Sequence, residues 1–175
     1  MIDELTLLAP YSRIEHLTDK GEFKYSELYS QAAETAIIVA LDSLKLPITR
    51  IASVVGRSNQ EQLDAEYEHL AEIHPRDLPA EHIGPSLQAY LSMYATRYVL
   101  MVYSEGFFWD KSNMGDIFLN RSDLYLAVAD TRTGKIIYFN RSLPEDGNPL
   151  NVNQVYRRIK RLINDLKIGS EGQIQ

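Results

Sequence analysis

Apolar and polar positions alternate along this chain in two rhythms, and the switches between them outline an α/β fold. Leu5-Thr-Leu-Leu-Ala9 reads as a short buried strand stopped at Pro10. Ser12 to Thr18 reads as a more polar extended piece, ending at the turn-prone Asp19-Lys-Gly21. The period then changes. Tyr25, Leu28, Tyr29, Ala32, Ala33, Ala36, Ile37, Ala40, Leu41 and Leu44 follow helical spacing, with Ser26 as the expected N-cap and Pro47 after the end. Ile38 and Val39 widen that stripe, so the helix is expected to be covered on more than one side.

Ile48 to Val55 is rich in β-branched residues and ends at Gly56, as a strand would. Strand, long helix and strand together predict a crossover unit with parallel strands. Ser58-Asn-Gln-Glu61 matches a capping box, predicting a helix to about Ile73 with Leu63, Tyr67, Leu70 and Ala71 inward. A proline-rich loop from His74 to Pro85 leads to a shorter helix carrying Leu87, Tyr90, Leu91 and Tyr94. Residues 56–96 thus form a helical insertion between strands.

Tyr98-Val-Leu-Met-Val-Tyr103 is apolar throughout, as in a central strand covered on both faces. Residues 123–130 and 135–141 flank Thr131-Arg-Thr-Gly134, whose glycine suits an antiparallel hairpin. Val152, Val155, Tyr156, Ile159, Leu162, Ile163 and Leu166 mark a closing helix capped by Asn151 and followed by Gly169; residues 170–175 are expected to be a flexible tail. The expectation is one α/β domain over 1–175. It has a single mixed sheet of about five strands, helices packed on it, an antiparallel C-terminal hairpin and a closing amphipathic helix.

Composition narrows the chemistry more than it names it. With no cysteine, disulfides, thiolate metal sites and cysteine nucleophiles are excluded. The apolar runs are far shorter than the roughly 20 residues of a membrane span, and Met1-Ile-Asp-Glu4 does not read as a signal peptide. A net charge of −6 argues against general nucleic-acid binding. The charge is uneven: residues 1–95 hold 15 acids and 7 bases, whereas residues 96–175 hold 9 and 11. Much of the basic excess falls on the closing helix, where Arg157, Arg158 and Arg161 form a candidate contact patch.

Sites of reaction are hard to find. His69, His74 and His82 lack the spacing that aligns metal ligands on one helix face, so they read as surface histidines, and no metal or cofactor is expected. Glu105, Asp110 and Asp116 are a possible carboxylate set, while Asp123 and Asp130 read as strand-end residues. Glycine-rich phosphate loops and the nucleophile-elbow motif are missing. Asn120-Arg-Ser122 and Asn140-Arg-Ser142 match glycosylation acceptors, a triplet that arises often by chance. The most unusual stretch is Gly106 to Phe118. Its Phe107, Phe108, Trp109 and Met114 could anchor a partner, or could pack on the long helix or the helical insertion.

In element order, in Leu7-Leu-Ala-Pro-Tyr-Ser12 and in Asp123-Leu-Tyr-Leu-Ala-Val-Ala-Asp-Thr-Arg-Thr-Gly-Lys135, the chain resembles a group of bacterial envelope lipoproteins. Their domain is of the Tol-system B-protein amino-terminal type, shared by curli-secretion lipoproteins and lipoprotein activators of penicillin-binding proteins. The resemblance implies a non-enzymatic periplasmic domain, associated with the outer membrane, that binds a protein or peptidoglycan partner and could form homo-oligomers. It implies membrane attachment only through a lipid anchor that this chain does not contain. The rival expectations are a small-molecule hydrolase with an unrecognised site, and a cytoplasmic structural subunit of an oligomer.

Overall fold

The structure, a computed structural model, describes residues 2–18, 20–53, 55–74, 78–108, 120–142, 145–146 and 148–166. Trp109, Asp110, Met114, Asp116, Gly169 and the 170–175 tail lie outside the described residues.

Among the described residues, eight strands form one mixed sheet and four helices cover it. In chain order they are β1 (Leu5–Leu8), β2 (Tyr11–Leu17), β3 (Phe23–Tyr25), α1 (Glu27–Asp42), β4 (Ile48–Ala52) and α2 (Arg57–Leu70). A 3₁₀ turn at Leu78–Ala80 precedes α3 (Pro85–Tyr94), β5 (Tyr98–Phe108), β6 (Arg121–Asp130), β7 (Ile136–Arg141), β8 (Glu145–Asp146) and α4 (Val152–Leu162).

The strand count exceeds the expected five because several strands share a rank. β1 and β2 both run parallel to β5 on the same side, one after the other. β4 lies parallel beyond β1, while β3 lies antiparallel beyond β2. On the other side of β5 comes antiparallel β6, which in turn pairs with β7 and β8. The break between β1 and β2 is a bulge. Leu7 faces Leu100 and Tyr11 faces Tyr103, so the N-terminal chain spends one residue more than β5 over this stretch. Pro10, lacking an N–H, sits where the ladder is interrupted. The slip lets Leu8 and Tyr11, three apart, face the same way.

The two faces are filled separately. Against one, α1 and α4 press Ala36, Ile37, Ala40, Leu41, Val155, Ile159 and Leu162 onto Leu5, Leu7, Leu100, Val102, Leu126 and Val128. Against the other, α2 and α3 press Leu63, Tyr67, Leu70, Leu87 and Leu91 onto Leu8, Val99, Met101, Tyr103, Ala127 and Ala129. β5 and β6 are buried on both faces over most of their length, which accounts for their nearly unbroken apolar runs.

The local chemistry mostly follows expectation. The Ser26 hydroxyl accepts from the Tyr29 amide, and Asn151 Oδ1 accepts from the Gln154 amide, so both anticipated caps form. Gly134 takes φ +72° in the β6–β7 turn. Several expectations need correction. The α2 cap is Gly56, not Ser58: the helix already includes Arg57, whose Nε donates to Glu61 at 2.8 Å and occupies the acid that a capping box requires. Tyr25 belongs to β3, and Leu28, 71% exposed, lies off the buried stripe of α1. Val39 is 44% exposed, so the wider stripe is not fully covered.

Gly106 is set by close approach of backbones. A Cβ there would stand 2.1 Å from the Arg121 carbonyl oxygen and 2.6 Å from Ser122 Cα. Gly106→Ala must therefore part β5 from β6, with an expected loss of about 2 kcal/mol in chemical denaturation. An unchanged midpoint would contradict this register.

Candidate functional site

The α2–α3 layer does not cover the whole sheet. Its last covered row is Tyr11, Tyr103 and Tyr125, side by side on β2, β5 and β6. Their rings stack at 5.7 Å (Tyr11–Tyr103) and 5.6 Å (Tyr103–Tyr125), and Tyr67 from α2 packs 5.8 Å from Tyr11. One step further along the strands the same face carries Arg13, Glu105 and Asp123; the next step carries Glu15, Phe107 and Arg121. These two rows line an open cleft of about 440 Å³, with Gly106 and Ser122 contributing backbone to its floor.

The tyrosines fix the centre of the cleft. Tyr103 Oη donates to Glu105 Oε2 at 3.1 Å, and Tyr125 Oη donates to Glu105 Oε1 at 2.8 Å. Burial, followed by the Glu105 carboxylate, pushes both phenols far up, so they remain donors. Across the ladder from Glu105 stands a second carboxylate, Asp123. Burial raises its pKa, and the Glu105 charge adds to the rise; Arg121, Arg158 and Arg141 oppose it. Asp123 Oδ1 is buried with no hydrogen-bond partner. Like charges directly opposite on adjacent strands are unfavourable, and this pair persists at the edge of a cleft.

The expected site residues separate on this framework. Phe107 and Phe108 end β5 instead of lying in a loop, and strand alternation sends them to opposite faces. Phe107 meets Phe23 at 5.0 Å on the cleft side, whereas Phe108 meets Tyr29 of α1 at 4.8 Å. Arg157 and Arg161 are exposed on α4, but Arg158 is 4% exposed and points inward. Its Nη1 donates to Ser122 Oγ at 2.8 Å, and its Nη2 donates to the Ser122 carbonyl at 2.6 Å and to Ser142 Oγ. The basic patch read from the sequence therefore loses its middle member, which is a clamp between α4, β6 and the end of β7. Ser122 and Ser142, the last residues of the two Asn-Arg-Ser triplets, are its buried anchors.

Glu105 finds its carboxylate neighbour in Asp123, a strand-end residue by sequence. The useful signal was pairing: once β5 and β6 are antiparallel, Glu105 and Asp123 face one another. Asp130 holds the turn at the far end, taking Arg97 Nη2 at 2.9 Å and the Arg132 amide at 2.9 Å. Among the described residues, no group of three His, Asp or Glu side chains is placed to hold a metal ion.

His69 is more engaged than a surface histidine. Its Nε2 lies 2.9 Å from Glu81 Oε2 and its Nδ1 lies 3.4 Å from Glu72 Oε2, joining α2 to the segment that bonds to the start of β7. The hydrogen bond to Glu81 raises its pKa, with burial opposing and Glu72 assisting. A raised folded-state pKa stabilises fully below the unfolded value and is lost as pH rises through the folded one. His69→Gln should therefore be less stable than wild type at about pH 5.5 and indistinguishable from it at about pH 8.5. A difference of constant size at both pH values would contradict the pairing.

No protein-family model and no curated protein matches the chain. Solved structures do show similarity. A PelC dodecamer from Paraburkholderia phytofirmans has TM-score 0.48 at 12% identity, covering 97% of this chain and 90% of that one. The LpoB C-terminal domain from Salmonella enterica has TM-score 0.37 at 16% identity, covering 80% of each chain. Lipoprotein GNA1162 from Neisseria meningitidis has TM-score 0.39 at 9% identity, covering 94% of this chain and 99% of that one.

Proposed function

We propose that this chain is a non-enzymatic binding domain of the bacterial envelope, positioned at the periplasmic side of the outer membrane, and that the open end of its sheet receives a protein or cell-wall partner. The observation that carries this reading is the mismatch between the layers: helices cover one face only as far as the tyrosine row, and the next two rows form a preformed charged cleft. Preformed charge in a shaped recess favours orientation and selectivity in docking. The envelope assignment is supported by the resemblance of Leu7–Ser12 and Asp123–Lys135 to lipoprotein domains.

Glu105 suits binding better than proton transfer, because two tyrosine hydroxyls already occupy its two oxygens. Of the aromatic residues, Phe107 belongs to this surface, and Arg157 and Arg161 lie on a separate helix face.

Fractionation of the source cells tests the location. The chain is expected with the envelope, and the purified domain is expected to co-sediment with isolated sacculi or to bind one envelope protein saturably. Recovery in the cytosolic fraction, with neither kind of binding, would overturn the reading.

A further inference from the structure

We infer that the cleft seats a lysine or arginine side chain from an extended segment of a partner protein, with an acidic side chain two residues away meeting Arg121. This deepens the binding-domain reading and rests on it.

The cleft has a charge pattern with an unfilled place. Glu105 and Asp123 oppose one another across the β5–β6 ladder. One nearby cation is directed elsewhere: Arg13 lies beside Glu105 in register, but its Nη1 reaches Glu68 on α2 at 3.5 Å. Among the described residues, no ion pair joins Arg121 to either carboxylate, and Asp123 Oδ1 stays buried and unpartnered. A cation entering between the two carboxylates would relieve their repulsion.

A hard divalent ion fits poorly. Calcium takes about six to eight oxygen ligands, and here the Glu105 oxygens already accept from Tyr103 and Tyr125. An ammonium or guanidinium needs only acceptors on one side and tolerates carboxylates that have other donors. Its aliphatic stem would lie toward Phe107, whose ring is backed by Phe23 at 5.0 Å.

The neighbouring row explains why a polypeptide suits the cleft. Arg121 stands two residues before Asp123 on β6, one same-face step of roughly 7 Å along a strand. An extended peptide repeats its side chains at that interval, so a basic residue over the carboxylates places the second residue along over Arg121. The cleft therefore reads a basic–x–acidic sequence.

The test is an NMR titration of the full ¹⁵N-labelled chain with acetyl-Gly-Lys-Gly-Glu-Gly-amide, and with the same peptide carrying norleucine for lysine. The lysine peptide is expected to shift the Gly106, Ser122 and Asp123 amides saturably and to bind at least about tenfold tighter than the norleucine peptide. Asp123→Asn should lose that margin while keeping its melting temperature or raising it, because a like-charge contact is removed. Equal binding of both peptides, wild-type affinity in Asp123→Asn, or shifts confined to other surfaces would overturn the inference. If neither peptide binds while sacculi or an envelope protein still do, the ligand class is wrong and the binding-domain reading survives.

Discussion

Tyr67→Ala is expected to cost about 4 kcal/mol. Tyr67 is fully buried beneath α2, its ring lies 5.8 Å from Tyr11 and 6.5 Å from Tyr103, and its hydroxyl donates to the Ala9 carbonyl at 2.7 Å. That carbonyl belongs to the bulge between β1 and β2, where the regular ladder offers no partner. Truncation removes a large apolar volume and leaves a part-buried acceptor unpaired. The Tyr67→Phe variant separates the two effects: it keeps the ring and should lose only about 1 kcal/mol. Urea denaturation of both variants checks this, and in a thermal melt Tyr67→Ala should lower the melting temperature by about 12 °C. A loss below about 1 kcal/mol would mean that the tyrosine stack does not carry the helix layer.

Arg158→Ala is expected to lose about 3 kcal/mol, whereas Arg157→Ala and Arg161→Ala should stay within about 0.5 kcal/mol of wild type. The contrast follows from placement on one helix. Arg158 points inward and binds the Ser122 carbonyl and the hydroxyls of Ser122 and Ser142, tying α4 to two strands. Its removal strands these groups where water cannot easily replace it. Arg158→Lys should recover less than half of the loss, because an ammonium cannot reproduce the planar fork that spans both serines. Equal effects at 157, 158 and 161 would contradict the inward placement.

The same residue shows where sequence reading succeeds and where it stops. The apolar stripe of α4 was plain, because Val155, Ile159 and Leu162 recur at helical spacing. Position 158 falls on that stripe too, at i+3 from 155, yet its charge suggests the outer face. Periodicity and residue type disagreed, and here periodicity was the better guide: two serines from neighbouring strands compensate the burial. The repeated Asn-Arg-Ser triplet was a visible trace of those serines, but only the β6–β7 pairing gives it meaning.

The rest of the fold divides in a similar way. α1, the β5 run and the Gly134 turn were legible because local pattern alone determines them. β3 was not, since Phe23, Lys24 and Tyr25 are all exposed and show no burial alternation. The placement of β1 and β2 in one rank was equally hidden, because it depends on which neighbour each strand finds. The cleft was least legible of all. Its carboxylates stand 18 positions apart in sequence, and only the antiparallel register sets Glu105 opposite Asp123. Phe107 stands out in the sequence by its aromatic company, although it lies at the end of a strand and not at a loop tip.

The central claim is that the open end of the sheet, and not the outer face of α4, is where a partner sits. Site-specific photo-cross-linking in the source cells tests it most directly, with the photoreactive residue placed at position 121 on the cleft lip or at position 157 on α4. A discrete adduct from 121 and none from 157 is expected. Adducts from 157 with none from 121 would contradict the account.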